Sequence, residues 1–229
     1  MLDARAFLGV VRSATGRRWV GPEPAVERLG LAIAQSAALP EIVGRVLAAR
    51  GVAPEEAQGY LAPTLRALMP DPSGLADMDA AAERLADAVA RGERVALFGD
   101  YDVDGGCSVA LLLDWLAALG LGATAYIPHR VEEGYGPNAP AMRALAAEHS
   151  LIVCLDCGSA SPGPIAAASA EGADVLVIDH HLADGPLAEA TAMVNPNRAD
   201  CPSGQGALCA AGVAFLLLVA ANRALRRRG

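Results

Sequence analysis

The sequence predicts an α/β fold, a mostly parallel sheet flanked by helices, with a small helical appendage at its N-terminal side. Three observations carry this. From Asp77 onward, short continuous apolar runs alternate with longer stretches of helical periodicity, as expected of strands buried on both faces with helices covering them. Three of those runs end abruptly in acidic or imidazole residues. Before about residue 75, helical periodicity is broken repeatedly by proline and glycine.

The appendage, residues 1–75, contains predicted helices over Pro24–Leu39, Pro40–Arg50 and Pro54–Leu61. Their prolines stand at first-turn positions, where a missing amide hydrogen costs nothing. Residues 76–229 form the α/β domain. A helix is expected over Asp77–Arg91, then a strand over Arg94–Phe98 that leads into the polar cluster Gly99–Gly106. Helix Cys107–Leu119, strand Ala123–Ile127 and a loop from Pro128 to Asn138 follow. Helix Ala139–His149 precedes strand Leu151–Leu155, and helix Pro164–Glu171 precedes strand Val175–Ile178. A short extended run, Ala192–Val194, enters the turn Asn195–Pro196–Asn197, and Ala207–Ala221 reads as a buried helix.

With 53% hydrophobic and 19% charged residues, the chain has the composition of a folded globular protein. A net charge of −8 argues against a general nucleic-acid-binding surface, unless acidic residues are metal ligands, because bound divalent cations invert the local charge. The five cysteines form no disulfide framework, which suits a reducing cytoplasm. The opening Met1–Leu2–Asp3–Ala4–Arg5 lacks the pattern of a secretion signal. Ala207–Ala221 is shorter than the roughly 20 residues that cross a bilayer. A cytoplasmic protein without membrane association is therefore expected.

In open α/β sheets, ligands bind outside the carboxyl ends of the strands. Here the first strand leads into Gly99–Asp100–Tyr101–Asp102–Val103–Asp104–Gly105–Gly106, a later one into Asp156–Cys157–Gly158, and the next into Asp179–His180–His181. If the strands are parallel, all of these groups share one rim. So many carboxylates would repel one another unless cations neutralised them. Oxygen ligands mixed with imidazole suit Mn²⁺ or Mg²⁺ better than a structural zinc ion, which favours thiolates. Two such ions about 3.5–4 Å apart can share a bridging carboxylate, activate water and stabilise a leaving phosphoester oxygen.

Taken together, these residues resemble the motif set of the DHH phosphoesterases, and within them the RecJ exonucleases most closely. Phe98–Gly105 is similar to the family's first motif, and Ile127–Asn138 to a loop characteristic of RecJ. Leu155–Gly158 resembles the second acidic strand end, and Asp179–His180–His181 the motif that names the family. Val194–Asn197, Cys201–Pro202 and Ala211–Phe215 also look like RecJ, as does the stretch from Gly59 to Met78. The resemblance implies Asp102, Asp104, Asp156 and His180 as metal ligands, with Asp156 as the bridge. Asp100 would be a ligand or an acceptor behind the ligands, compensating for Phe98 where many members carry histidine. His181 would sit beside the scissile phosphate and, with Asp156, carry catalysis. Arg130, His129, Tyr135 and Asn138 would contact substrate, although Asn138 could instead cap the following helix.

The implied activity is two-metal hydrolysis of phosphodiesters with Mn²⁺ or Mg²⁺, releasing mononucleotides from the 5′ end of single-stranded DNA in repair and recombination. Single-strand-binding protein and helicase are partners implied by the same resemblance. A further ligand aspartate and the strand-gripping domains of such enzymes would lie beyond Gly229, so the chain reads as a front portion. Two other readings remain open: a phosphoesterase acting on small molecules or oligoribonucleotides, and a non-catalytic binding module.

Four features read as structural. Cys154 and Cys157 are three apart, and on a continuing strand would point to opposite faces, so packing is expected rather than metal or redox chemistry. Cys201 and Cys209 have no partner pair at ligand spacing. His149 belongs at a helix C-terminus. Arg223, Arg226, Arg227 and Arg228 read as a solvated helix end, and with 4% aromatic residues no base-stacking platform is evident.

Overall fold

The computed structural model describes residues 6–182 and 185–229, so the Met1–Arg5 opening lies outside the described residues. Two compact units divide the chain, Met1–Met69 and Pro70–Gly229. In the first, helices α1 (Pro24–Ser36) and α2 (Glu41–Ala49) are followed by the short α3 (Ala57–Leu61) and α4 (Leu65–Leu68). Pro24 occupies the first helical position of α1, while Pro40 sits just outside α2. The predicted helix at Pro54 splits into a 3₁₀ turn, Pro54–Glu56, and α3. Ile33, Leu47, Ala48, Val52 and Ala57 bury themselves together as this unit's own core.

The second unit is built from α5 (Met78–Arg91), β1 (Val95–Gly99), α6 (Val103–Ala118), β2 (Ala123–Tyr126), α7 (Ala139–Ala146), β3 (Leu151–Leu155), α8 (Pro162–Ala170), β4 (Asp174–Ile178), β5 (Ala192–Val194) and α9 (Ala210–Arg228). Among the described residues, the five strands are all parallel, in the order β2-β1-β3-β4-β5. Because side chains alternate along a strand, Leu97, Leu151 and Val153 face a core shared with α5, α6 and α9. Ala96, Phe98, Ile152 and Cys154 face the opposite core, shared with Met142 of α7 and Ile165 of α8. Each fully buried Leu or Val in these layers contributes roughly 1.5–3 kcal/mol.

Strand order reverses between β1 and β3, which opens a crevice at their carboxyl ends. Register then fixes what lines it. Gly99 pairs with Leu155, and Leu155 with Ile178, so the three residues that follow these strand ends come level. The amides of Asp100, Asp156 and Asp179 donate to Leu155 O, Ile178 O and Val194 O at 3.2, 2.9 and 3.0 Å. Three aspartates thus stand in a row on one rim.

Helix α6 begins at Val103, ahead of the predicted start at Cys107. The reason is Asp102, whose Oδ1 accepts the amides of Asp104 (2.9 Å) and Gly105 (3.0 Å) and so draws the Asp-Gly-Gly sequence into the first helical turn. Gly105 is needed there because a Cβ would fall 2.7 Å from the backbone nitrogen of Asp100. Helix α7 stops at Ala146, short of the predicted His149. His149 instead folds back, with Nδ1 2.9 Å from Leu145 O and Nε2 2.9 Å from Thr124 Oγ1.

The apolar stretch near the C-terminus forms α9, whose Val213, Ala214, Leu217 and Ala221 are buried. Among the described residues, no helix is long and apolar enough to cross a membrane. Its basic end is ion-paired rather than merely solvated: Arg223 meets Asp71, Arg227 meets Glu83, and Arg228 meets Glu83 and Asp87. On the outer edge of the sheet, Met193 donates its amide to Asp77 Oδ2 (3.2 Å) and its carbonyl accepts from Arg198 Nη1 (2.6 Å). Arg198 also pairs with Asp77 at 2.6 Å, closing that edge with one ion pair.

Candidate metal centre

The rim of β1, β3 and β4 gathers two overlapping groups of potential ligand atoms, Asp100–Asp102–Asp156 and Asp156–His180–His181, each with its atoms within 4.8 Å of one another. Asp156 belongs to both, the place expected of a bridge. It is 1% exposed and has a left-handed backbone (φ 62°), which a non-glycine residue adopts only where its surroundings impose it. Here the strand stops at Leu155 and the chain turns sharply, aiming the carboxylate along the rim.

Asp104 lies beside these groups, with Oδ2 3.6 Å from His180 Nε2. Both of its oxygens also accept amides from the start of α9, Ala210 N to Oδ2 at 2.7 Å and Ala211 N to Oδ1 at 2.8 Å. His180 has Nδ1 3.1 Å from the Leu208 carbonyl, so this nitrogen carries the proton. Nε2 is left to face Asp156 Oδ1 at 3.3 Å.

The electrostatics fit a cation. Asp156 has its pKa pushed up to about 7, first by burial and then by the charges of Asp104 and Asp102. Asp100 is also raised, mainly by burial. One oxygen of each, Oδ1 of Asp100 and Oδ1 of Asp156, is buried without a hydrogen-bond partner. A native protein seldom leaves buried carboxylate oxygens in that state. Asp102 differs: the Gly105 amide is the largest influence on it and holds it below the usual carboxylate range. Unsatisfied buried oxygens, an imidazole nitrogen turned toward them and an all-oxygen-and-nitrogen donor set match a hard divalent ion rather than a thiolate zinc site.

His181 is held differently. Its Nδ1 lies 2.8 Å from Asp179 Oδ1 and 3.2 Å from Tyr135 Oη. Burial disfavours the imidazolium, but the bond to Asp179 and the charges of Asp179, Asp156 and Asp100 prevail and raise its pKa. Asp179 is buried and accepts the amides of Ser159, His180 and His181 besides the His181 ring. Two asparagines secure the backbone behind the histidine pair. Asn195 Nδ2 donates to His181 O and Ser159 Oγ, both at 2.9 Å, and Asn197 Nδ2 donates to His180 O at 2.6 Å.

Alongside runs a wall from the Pro128–Asn138 loop. Arg130 stacks over the Tyr101 ring (5.0 Å), Tyr101 meets Tyr135 edge-on (6.4 Å), and Tyr135 meets His181 (5.8 Å). Tyr135 Oη also donates to Asp156 O at 3.2 Å. Glu133 pins the loop by accepting from Tyr126 Oη and from the His129 amide (2.7 Å). His129 is exposed beside Glu132 and belongs to neither ligand group. Asn138 takes the capping alternative, its Oδ1 accepting the Ala141 amide at 2.9 Å. Between Tyr135, Ser159, Ser161, Asp179 and His181 lies a cavity of about 190 Å³.

Cys154 and Cys157 do not diverge as expected for a continuing strand. The turn at Asp156 brings both into the same core layer, where they are free, fully buried and raised in pKa by burial. Packing is thus their role for a different geometric reason. Residues whose part was not foreseen are Asp179, Ser159, Asn195, Asn197 and Glu133. The Asn195–Pro196–Asn197 turn was visible as a motif, but nothing in it names the carbonyls it would grip.

Comparison with known proteins gives the family. The model of the DHH family, N-terminal domain, matches residues 94–228. The chain is 36% identical over 193 residues to the single-stranded-DNA-specific exonuclease RecJ of Salmonella typhimurium, covering 83% of this chain and 33% of that protein. It is 32% identical over 205 residues to RecJ of Bacillus subtilis, covering 89% and 26%. A crystal structure of RecJ in complex with Mn²⁺ from Thermus thermophilus superposes with a TM-score of 0.70 at 28% identity, over 90% of this chain and 28% of that one. A structure of exonuclease RecJ bound to manganese gives a TM-score of 0.61 at 34% identity, over 68% and 39%. The chain thus spans about a third or less of the length of these curated relatives. With its family model matched over more than half of its length, this chain belongs to the DHH family.

Proposed function

We propose that this chain supplies the phosphodiester-cleaving centre of a Mn²⁺- or Mg²⁺-dependent exonuclease acting on single-stranded DNA. The observation that carries the proposal is the meeting of Asp100, Asp102, Asp156 and His180 at the β1/β3 switch point, with two buried carboxylate oxygens unsatisfied. Asp102, Asp104, Asp156 and His180 would hold the ions, Asp156 between them and Asp100 as a further ligand. When bound, the ions would supply a nucleophile at neutral pH and neutralise charge on the transferred phosphoryl group. His181, whose imidazolium Asp179 favours, faces the same rim and would donate a proton or charge to the phosphate oxygens. Arg130 offers charge to the strand, while the Tyr101 and Tyr135 rings offer faces for a terminal nucleotide.

Release from the 5′ end, a cytoplasmic setting, and single-strand-binding protein and helicase as partners belong to this reading through the resemblance to RecJ. The test is the purified chain with end-labelled single-stranded DNA and Mn²⁺, beside an Asp156→Asn control. Mononucleotides released from the 5′ end by the chain and not by the control support the proposal. Turnover of a dinucleotide but not of a long strand would replace it with a small-substrate phosphoesterase. Absence of Mn²⁺ binding would leave a non-catalytic module.

A further inference from the structure

The residues that open α9 touch two proposed ligands that come from distant parts of the chain. Asp104 belongs to the first turn of α6 and His180 follows β4. Asp104 receives the Ala210 amide on Oδ2 (2.7 Å) and the Ala211 amide on Oδ1 (2.8 Å), across 106 and 107 positions of sequence. The ring of His180 is fixed through Nδ1 by the Leu208 carbonyl at 3.1 Å. We infer that the backbone of Leu208–Ala211 is an orienting clamp for the metal centre, setting the rotation of one carboxylate and the tautomer of one imidazole. This inference rests on the metal reading above.

The physical case has three parts. Two amides on two oxygens stop the Asp104 carboxylate from rotating, and each oxygen keeps a lone pair for an ion. Placed at the N-terminus of a long helix, the carboxylate also meets the positive end of the helix dipole. The Leu208 carbonyl commits Nδ1 to the proton, so Nε2 is presented to the centre 3.3 Å from Asp156 Oδ1 and 3.6 Å from Asp104 Oδ2. Helix α9 has its own seat, with Val213 and Leu217 in the core and Arg223 and Arg228 paired to Asp71 and Glu83. The clamp is therefore pre-formed rather than assembled by the ion.

Proline at position 210 breaks the contact. Ala210 is the first residue of α9, a position that proline tolerates, and Cys209 before it is already extended (φ −76°, ψ 165°), as a residue preceding proline prefers. Ala210→Pro replaces the amide hydrogen given to Asp104 with a ring Cδ that pushes Oδ2 away, and leaves the helix ladder intact. Mn²⁺ affinity is measured by calorimetry on the whole chain, with thermal midpoints recorded without metal. The expected result is a 10–100-fold weaker Mn²⁺ affinity with the metal-free midpoint moved by no more than about 4 °C. In an Asp104→Ala background the same proline should change affinity by less than about twofold, because the amide acts through Asp104.

A single-mutant affinity within about twofold of the parent chain overturns the clamp while leaving the metal reading standing. A parent chain that binds no Mn²⁺ overturns both. Should the proline variant not fold, amide exchange in the unaltered chain decides. By reciprocity, Mn²⁺ must slow exchange at Ala210 and Ala211, and unchanged exchange there rejects the inference.

Discussion

His181 and Asp179, two residues apart, form a carboxylate–imidazole pair at 2.8 Å, and Asp179 spends its remaining capacity on the amides of Ser159, His180 and His181. Asp179 thus presents its carboxylate to His181 and belongs to neither group of potential ligand atoms. Asp179→Asn should lower single-strand cleavage by about 10²–10⁴-fold, the range assigned to a positioned proton donor. Mn²⁺ affinity should fall by less than about tenfold. Parallel loss of both, measured by turnover and calorimetry on one preparation, would place Asp179 among the ligand supports instead.

Asp156 predicts the opposite behaviour in stability and binding. Its carboxylate is buried beside Asp102 and Asp104 with one oxygen unpartnered, so without metal at pH 8 it strains the fold. Asp156→Asn should raise metal-free stability at pH 8 by roughly 1–3 kcal/mol, read from urea midpoints. The same substitution should abolish stabilisation by Mn²⁺. A destabilised metal-free variant would count against the crowding of charge.

Gly105 offers a steric test of the rim. A methyl group there falls 2.7 Å from Asp100 N and 2.8 Å from Asp100 C, backbone atoms that cannot swing aside. Gly105→Ala should cost roughly 1–3 kcal/mol as overpacking. Gly106→Ala, where a Cβ meets nothing within 4 Å, should be neutral or slightly stabilising. Thermal melts of the two variants, side by side, separate close approach from mere helix propensity.

The opposite rim carries a pH dependence. Glu93 is raised by burial, but hydrogen bonds from Arg84 (2.7 Å) and Ser150 (2.8 Å) and the charge of Arg84 and Arg91 outweigh that and lower its pKa below 4.5. A carboxyl group depressed on folding contributes stability that is complete above its unfolded value, near 4.5, and is lost as pH falls through the folded one. Glu93→Gln should therefore destabilise the chain by roughly 1–3 kcal/mol at pH 7 and by clearly less at pH 3. Equal losses at both pH values would remove the ion pair as the cause.

Much of this architecture was legible because it is local or periodic. Continuous apolar runs marked β1, β3 and β4, and their acidic ends marked the rim, since parallel strands of similar length must end together. The start of α6 was misjudged because Gly105 and Gly106 read as a turn, whereas the Asp102 cap makes them a helical turn. The loop that carries Arg130 and Tyr135 was visible, but its anchorage was not. Glu133 reaches back to Tyr126, and that bond depends on where the strand places the tyrosine. Least legible were contacts that close only in three dimensions, such as Asp104 with Ala210 and Asn195 with Ser159. Backbone donors have no side-chain signature, so no pattern of residue types announces them.

The Asp77–Arg198 pair at the outer edge of the sheet has a consequence for life in a crowded solution. A bare edge strand is a template onto which another chain can add itself. At Met193 the two groups that would recruit such a guest are already taken, the amide by a carboxylate and the carbonyl by a guanidinium, as if a one-residue strand were bound there permanently. The protein carries its own chain terminator for sheet growth, made from two charged side chains drawn from positions 121 residues apart.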